Sequence, residues 1–389
     1  MRISGILACA LAGAMAGSSL AAPSPAAGAA IREAGRAWVS DNAGIGLTIG
    51  IYDQGRREYF NFGVTQIDGN HLPTPDTVYE IGSLSKTFAG QLLARAVVEG
   101  RATLDDEVAR YLDGPYPNLE NGGRKVLLRH LVSSTSQLID NIPDLTQVRA
   151  VPGEPLAVTH MRVFEQYSRE QFLLQLGRVM PRRPPGEEPA YSNVGGMVLG
   201  VALEKIYGEP FERILAREIE KPMRMASGTA PPIKLLARGH TAAGEPVPPF
   251  TAPLQFATLS LRYSAKDLLT YATWQLLERD ASTKLSHRPT WSTPDGRQGV
   301  GFFWILGESP QGRRLWHGGT TFGFSSVCEL YPDAGLAVVA LSNKAADDAQ
   351  VSLRALSANI VRLLRPETPE GVAAVRPPLS SADAPPPAR

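Results

Sequence analysis

Strand-like runs stand at both ends of this 389-residue chain, with helix-like patches between them. Near the beginning, IGLTIGIY (45–52) and EYFNFGV (58–64) flank Asp53-Gln54-Gly55, a turn signal that predicts a hairpin. From residue 300 onward, VGFFWIL, RRLWH, FSSVCELY and LAVVALS alternate with Gly, Pro and Asp and predict successive antiparallel strands. The two ends must therefore meet in one sheet. Ile31, Ala34 and Trp38 predict a helix before the first strand, and Leu353, Leu356, Ile360 and Leu363 a helix after the last. The expected fold is α/β of the α+β kind: an antiparallel sheet built from both chain ends, flanked by helices, with an inserted, mostly helical lobe. The sheet lobe should take about 37–90 and 255–365 and the helical lobe about 91–254. A cleft between lobes is a usual place for a small-molecule site.

Charge narrows the partners. The formal net charge is +1 with no long single-sign run, so neither a nucleic-acid surface nor an anionic-membrane surface is indicated, and a small-molecule or peptide partner is expected. The N-terminus, MRISGILACALAGAMAGSSLAAP, has one positive residue, a short apolar run and then Ser19-Leu20-Ala21, the pattern of a secretory signal ending near Ala21. The run is too short and too rich in Gly and Ala for a stable membrane anchor. The mature protein is thus expected to be periplasmic or secreted and to span 22–365, followed by a disordered Pro/Ala-rich tail over 366–389. Cys9 falls in the signal, which leaves Cys328 without a disulfide partner and best read as a small buried residue.

EIGSLSKTF (80–88) places Lys86 in one of the least polar stretches of the chain, three residues after Ser83. At helical spacing Lys86 shares a side with Gly90, Leu93 and Val97, while Gln91, Arg95 and Glu99 form the opposite, polar stripe. One reading is a lysine that snorkels from a first turn capped by Ser83. The other is chemical. A desolvated lysine falls from its usual pKa of about 10.4 towards neutrality and can accept a proton from a serine one turn away. S-x-x-K alone is a weak signal, so partners are needed.

Three Y-x-N triplets occur, Tyr59-Phe60-Asn61, Tyr116-Pro117-Asn118 and Tyr191-Ser192-Asn193. The first lies within a strand and the second in a loop with nothing apolar to bury it. The third opens the helix VGGMVLGVALEKIYG, which Gly208 can terminate; Asn193 is a plausible N-cap there, and Gly195-Gly196 permits close approach of another backbone. In RLWHGGTTFGFSS (314–326), His317 begins a Gly-rich segment after a strand-like run. A lone histidine is commonly structural, but two adjacent glycines suit an edge strand that hydrogen-bonds a substrate. No G-x-S-x-G, G-x-G-x-x-G or H-E-x-x-H occurs, and no Cys/His cluster, so no metal and no cofactor are expected.

Ser83-Leu84-Ser85-Lys86, Tyr191-Ser192-Asn193 and His317-Gly318-Gly319 stand in the order and approximate spacing of the serine β-lactamase and penicillin-binding protein superfamily. The chain resembles its class C branch of β-lactamases, D-alanyl-D-alanine carboxypeptidases, D-aminopeptidases and esterases. LDDEVARYL (104–112), KPMRMASGT (221–229) and LRYSAKDLLTY (261–271) look like family segments, and the resemblance covers about 37–364. It implies a β-lactamase/transpeptidase-like fold and an acyl-enzyme on Ser83, whose proton Lys86 and Tyr191 share. It also implies that Asn193 orients the substrate and that the N–H groups of Ser83 and Thr320 form an oxyanion hole. His317, Gly318 and Gly319 would be substrate-binding.

Two departures qualify the substrate. His317-Gly318-Gly319 replaces Lys-Thr-Gly, which removes a cation and a hydroxyl and so weakens capture of a substrate carboxylate; Arg313 or Arg314 is the candidate to supply the missing charge, with surface solvation the favoured role for both. Ser134-Thr135-Ser136-Gln137-Leu138 stands where relatives commonly show His-Thr-Ser-Gly-Leu, which bears on the local turn. The expected activity is hydrolysis of D-amino-acid peptides or β-lactams, with a promiscuous carboxylesterase and a penicillin-binding sensor without turnover as alternatives. A His317 role implies pH dependence near 6 to 7, the reference imidazole range.

Overall fold

The computed structural model describes residues 25–366 except 44, 68 and 346. The expected signal segment, Cys9 and the tail beyond 366 lie outside the described residues. The chain opens with helix α1 (Pro25–Asp41) and the hairpin β1 (Leu47–Asp53) and β2 (Arg56–Phe62). Gln54 and Gly55 both take positive φ, as the tight turn between two right-twisted strands requires. Strand β3 (Val78–Glu80) leads into α2 (Ser85–Val98), and the middle of the chain includes α3 (Leu156–Gln166) and α4 (Asn193–Tyr207). The return passes through β4 (Arg262–Ser264), α5 (Ala265–Leu277), β5 (Trp291–Ser292), β6 (Gly299–Gly301), β7 (Trp304–Ser309), β8 (Gly312–Thr320), β9 (Ser325–Tyr331) and β10 (Leu336–Ser342), and ends in α6 (Asp347–Leu364).

Eight strands make the main sheet, in the order β2-β1-β10-β9-β8-β7-β6-β5, with each neighbouring pair antiparallel. The expected sheet from both chain ends is thus present, and β1 pairs with β10 in the register Ile49↔Ala340. Strand alternation divides its side chains between two faces. Ile49, Ile51, Val327, Val338 and Ala340 pack on Ile31 and Trp38 of α1 and on Leu353 and Ile360 of α6. Cys328, Val339 and Leu341 face the other way, into a larger core with Phe88 and Leu92 of α2, Leu269 and Ala272 of α5 and Val194 and Val198 of α4. Each fully buried aliphatic or aromatic side chain there contributes about 1.5–3 kcal/mol.

Two local expectations need correction. VGFFWIL is not one strand: Phe302 and Phe303 take φ of 49° and 70°, breaking it into β6 and β7. The kink brings the Phe302 carbonyl so close to α2 that a Cβ on Gly90 would lie 2.4 Å from it. Nor is Gln91 part of a solvated stripe. It is buried, donating to Ser282 Oγ at 2.7 Å and accepting from Gln275 at 3.1 Å, because the short helix Ala281–Ser286 covers that side of α2.

Strand β8 outruns β7. Pairing with β7 ends at Ile305↔Trp316, whereas pairing with β9 continues from Leu315↔Leu330 to Thr320↔Ser325. Residues 317–320 therefore have one edge without a strand partner. Thr321 N–H donates to the Phe324 carbonyl at 2.9 Å across the β8–β9 turn. By the alternation of an antiparallel ladder, the N–H and C=O of Thr320 and of Gly318 then point to the open edge.

Candidate active site

Ser83 lies in a single 3₁₀ turn, Gly82–Leu84, between β3 and α2. Gly82 has φ of 55°, and a Cβ there would stand 2.6 Å from Thr320 N. A Cβ on Gly319 would stand 2.0 Å from the Ile81 carbonyl and 2.7 Å from Ser83 N. Glycine at both positions lets the serine turn press backbone to backbone on β8. Ser326 Oγ–H holds the Ile81 carbonyl at 2.7 Å, and Ser85 Oγ–H holds the Gly82 carbonyl at 2.7 Å, so the turn is fixed from both sides.

Lys86 is on the first turn of α2 and is 1% exposed, which disposes of the snorkelling reading. Its Nζ lies 3.1 Å from Ser83 Oγ, 2.7 Å from Tyr191 Oη, 2.7 Å from Asn193 Oδ1 and 3.4 Å from the Thr258 carbonyl. Burial lowers its pKa to about 7, with the Asp140 carboxylate pulling the other way. Two of the four neighbours are carbonyl oxygens that can only accept. A neutral amine has two hydrogens and one lone pair to share among these four neighbours, and because the Tyr191 hydroxyl donates to Ser83 Oγ, the one hydroxyl that can donate to that lone pair is that of Ser83.

Tyr191 donates a short hydrogen bond to Ser83 Oγ. Its ring is 51% exposed, but its hydroxyl is enclosed between Ser83 and Lys86, and that burial raises its pKa above the ordinary phenol value. The two other Y-x-N triplets are elsewhere: Tyr59 and Asn61 are in β2, and Asn118 Nδ2 donates to the Leu176 and Val179 carbonyls. The N-cap of α4 is Ser192 rather than Asn193. Ser192 Oγ accepts from Gly195 N–H at 2.9 Å, which leaves Asn193 as the first helical residue with its side chain free to reach Lys86. The glycine pair receives side chains rather than backbone: a Cβ on Gly196 would meet the Thr258 methyl at 2.4 Å.

Asp140 and Asn141 complete the site and were not singled out in the sequence. Asn193 Nδ2 donates to Asn141 Oδ1 at 3.0 Å and to Asp140 Oδ1 at 3.3 Å, so its amide is held at both ends. The Asp140 carbonyl also accepts the N–H groups of Asn193 and Val194, at 2.9 and 3.1 Å. An acidic residue three before a proline in LIDNIP gives no local signal of this long-range pairing. Glu80 was missed as well. Its buried carboxyl accepts from the Thr321 hydroxyl and from Phe250 N–H, each at 2.7 Å, and ties the serine strand to the tip of β8. Burial raises its pKa to about 7, opposed by those two hydrogen bonds and by the Arg262 charge.

His317 occupies the face of β8 that carries Gly319, next to the serine turn, and is 7% exposed. Its Nδ1 is 2.6 Å from the Gly318 carbonyl, an acceptor, so Nδ1 carries the hydrogen. Burial, together with the Lys86 charge, lowers its pKa to about 4. The expectation of a titration near pH 6 to 7 is therefore corrected: the imidazole is neutral across that range. Gly318 points to the other face, where a Cβ would collide with Gln350 Nε2 at 2.3 Å. Arg313 and Arg314 do not reach the site. Arg313 pairs with Glu278 and Asp333, and Arg314 is not solvated as expected but pairs with the buried Glu329 at 2.5 Å.

The lost glycine at 137 leaves a visible mark. Gln137 is held at φ of 60°, a left-handed conformation, with its Nε2 donating to the Glu188 carbonyl at 2.6 Å. Among the described residues no group of three or more His, Cys, Asp or Glu side chains is placed to hold a metal ion.

Comparison with known proteins gives the family and the fold. The family model described as Beta-lactamase matches residues 29–361. A β-lactamase of Pseudomonas fluorescens is 25% identical over 338 residues, 77% of this chain and 88% of that protein. The D-alanyl-D-alanine-carboxypeptidase/endopeptidase AmpH of Escherichia coli K12 is 27% identical over 187 residues, 48% of this chain and 46% of that protein. The crystal structure of a β-lactamase/D-alanine carboxypeptidase from Pseudomonas syringae superposes with a TM-score of 0.71 at 18% identity, covering 88% of this chain and all of the other. With a family model spanning nearly all the described residues and the fold to match, the chain belongs to the β-lactamase family.

Proposed function

We propose that the protein is an exported serine hydrolase that works through an acyl-enzyme on Ser83 and acts on D-amino-acid peptides or β-lactams. The observation that carries the reading is the position of the buried Lys86 Nζ, within hydrogen-bond reach of both the Ser83 and the Tyr191 hydroxyls. In acylation, Ser83 Oγ attacks the substrate carbonyl carbon while its proton passes to the Lys86–Tyr191 pair. The carbonyl π electrons move to oxygen, and that oxyanion is met by the N–H groups of Ser83 and Thr320. Collapse breaks the scissile bond, and the proton held by the pair is returned to the leaving nitrogen or oxygen. Water then attacks the ester carbonyl carbon and gives one proton to the same pair; collapse breaks the C–Oγ bond, the pair returns that proton to Ser83 Oγ, and the acid product leaves. Lys86 and Tyr191 titrate as a unit, so the pair is the base.

Export is supported by the N-terminal signal pattern. None of the described helices is long and apolar enough to cross a membrane. A carboxylesterase is the second reading, favoured by the neutral His317 in place of a cation. Fluorescent penicillin, a D-Ala-D-Ala peptide and a short-chain p-nitrophenyl ester, each assayed on the mature protein and on Ser83→Ala, test both. Serine-dependent labelling and turnover of peptide or penicillin support the first reading, and turnover confined to the ester supports the second. Labelling without turnover of any of the three would contradict both.

A further inference from the structure

Glu80 ends β3, three residues before Ser83, and Thr321 follows Thr320 at the tip of β8. The Thr321 hydroxyl donates to Glu80 Oε2 at 2.7 Å, across 241 residues of chain. Glu80 Oε1 accepts the Phe250 N–H, also at 2.7 Å. The Phe250 ring in turn meets that of Phe322, the next residue of the tip, edge to face at 5.3 Å. Through its two oxygens one buried carboxyl thus grips the tip at two successive residues. The β8–β9 ladder stops at Thr320↔Ser325, so Thr321 and Phe322 are held by contacts of this kind and by the turn bond to Phe324. A single side chain joins the segment that carries the Ser83 N–H to the segment that carries the Thr320 N–H.

We infer from this geometry that Glu80 is a positioning residue for acyl transfer: through Thr321 and Phe250 it sets the separation and direction of the Ser83 and Thr320 N–H groups that receive the oxyanion. This role rests on the Ser83 acyl-enzyme reading and adds what holds its two donors in place. Donors already aimed need no reorganisation as charge develops, and a misplacement of ~1 Å can cost about 10²-fold in rate. The clamp works with the carboxyl in either protonation state. Phe250 N–H can only donate, but the Thr321 hydroxyl can donate or accept. An ionised Glu80 accepts from both; a protonated one gives its O–H to Thr321 Oγ1, and the hydroxyl reverses. A glutamine can do the same, with Oε1 on Phe250 N–H and Nε2 on Thr321. Two other charged groups act on Glu80: Arg262, opposite it in β4, and Glu165 of α3, whose Oε1 accepts Thr251 N–H at 2.8 Å. Neither enters the two hydrogen bonds of the clamp.

Glu80→Ala would leave the Phe250 N–H buried and unpaired, so the clamp is better broken at the half-exposed Thr321. Wild-type protein, Thr321→Val, Thr321→Ser and Glu80→Gln are compared with two probes. One is p-nitrophenyl acetate, an acyl donor with little to bind beyond its carbonyl. The other is phenylboronic acid: Ser83 Oγ bonds to boron, its proton passes to the Lys86–Tyr191 pair, and the tetrahedral adduct places an oxygen where the oxyanion forms. Thr321→Val should lower kcat/KM for the acetate by about 10–100-fold and weaken phenylboronic acid by a similar factor. Thr321→Ser and Glu80→Gln should recover most of both losses, and all four proteins should keep the rising pH limb. Wild-type values in Thr321→Val would overturn the proposal. So would a fall in kcat/KM with boronate affinity unchanged, the mark of a merely structural role, or a Thr321→Ser no better than Thr321→Val. If Ser83→Ala hydrolyses the acetate as fast as wild type, the acyl-enzyme reading itself fails and this role with it; the other outcomes leave that reading intact.

Discussion

Lys86 Nζ and Tyr191 Oη lie 2.7 Å apart, and both touch Ser83 Oγ, so two proton-handling groups from α2 and from the start of α4 converge on one hydroxyl. Replacing either should impair acylation by the measure of a positioned acid-base group, about 10²–10⁴-fold in kcat/KM. Lys86→Met and Tyr191→Phe should not add: the double variant should be little worse than the poorer single one, because the two act as a unit. Independent, multiplying losses in a double-mutant cycle would contradict the pairing.

The lowered pKa of Lys86 sets a pH dependence. With its pKa near 7, acylation should rise as pH increases through 7, as the amine loses its proton. His317, lowered to about 4, adds nothing in that range, so His317→Asn should keep the rising limb. Because Glu80 also has a pKa near 7, Glu80→Gln is the control, and the limb should persist there too. A limb lost in His317→Asn would restore the ordinary imidazole assignment.

Lys86 also links to stability. A lysine whose folded pKa lies below its unfolded one binds fewer protons folded than unfolded, so its contribution to stability rises with pH between about 7 and 10.5. Lys86→Met should raise the melting temperature at pH 7 and flatten that rise, which calorimetry at pH 7 and 9 measures.

Glu80 should show the reverse slope. Its folded pKa is raised from 4.5 to about 7, so the stability it contributes is complete below pH 4.5 and is lost as pH rises through 7. Compared with Glu80→Gln, wild-type protein should lose ground between pH 5 and 8 in denaturant titrations. A parallel pair of curves would contradict the buried position of this carboxyl.

Gly318 and Gln350 should be coupled. The Gln350 amide fills the place a side chain at 318 would take, so Gly318→Thr should cost about 1–3 kcal/mol by overpacking. Gln350→Ala should relieve most of that cost in the double variant. Denaturation of the four proteins measures the coupling, and simple additivity would contradict it.

What was legible in the sequence, and what was not, follows the range of the forces involved. The hairpin at 45–64, the end strands and the closing helix are marked by periodicity and turn residues, which act over a few positions. Ser83, Lys86, Tyr191, Asn193 and the glycines after His317 were singled out because three short motifs together resemble those of a known superfamily; locally, a buried lysine beside a serine left two readings open. The break at Phe302–Phe303 was hidden, since aromatic residues read as strand and only the contact with Gly90 explains their positive φ. The neutrality of His317 depends on burial and on the Gly318 carbonyl, and the Asp140 and Asn141 contacts with Asn193 span more than 50 residues of chain. Gln91 was misplaced because a polar residue at helical spacing looks solvated until a partner such as Ser282 is known.

The account turns on Ser83 as the atom that carries the acyl group. Mass spectrometry of protein quenched during turnover of a slowly hydrolysed acyl donor tests this directly. The expected result is one acyl adduct, mapped to the peptide containing Ser83 and absent from Ser83→Ala. Turnover with no adduct and undiminished in Ser83→Ala, or an adduct on a different residue, would contradict it.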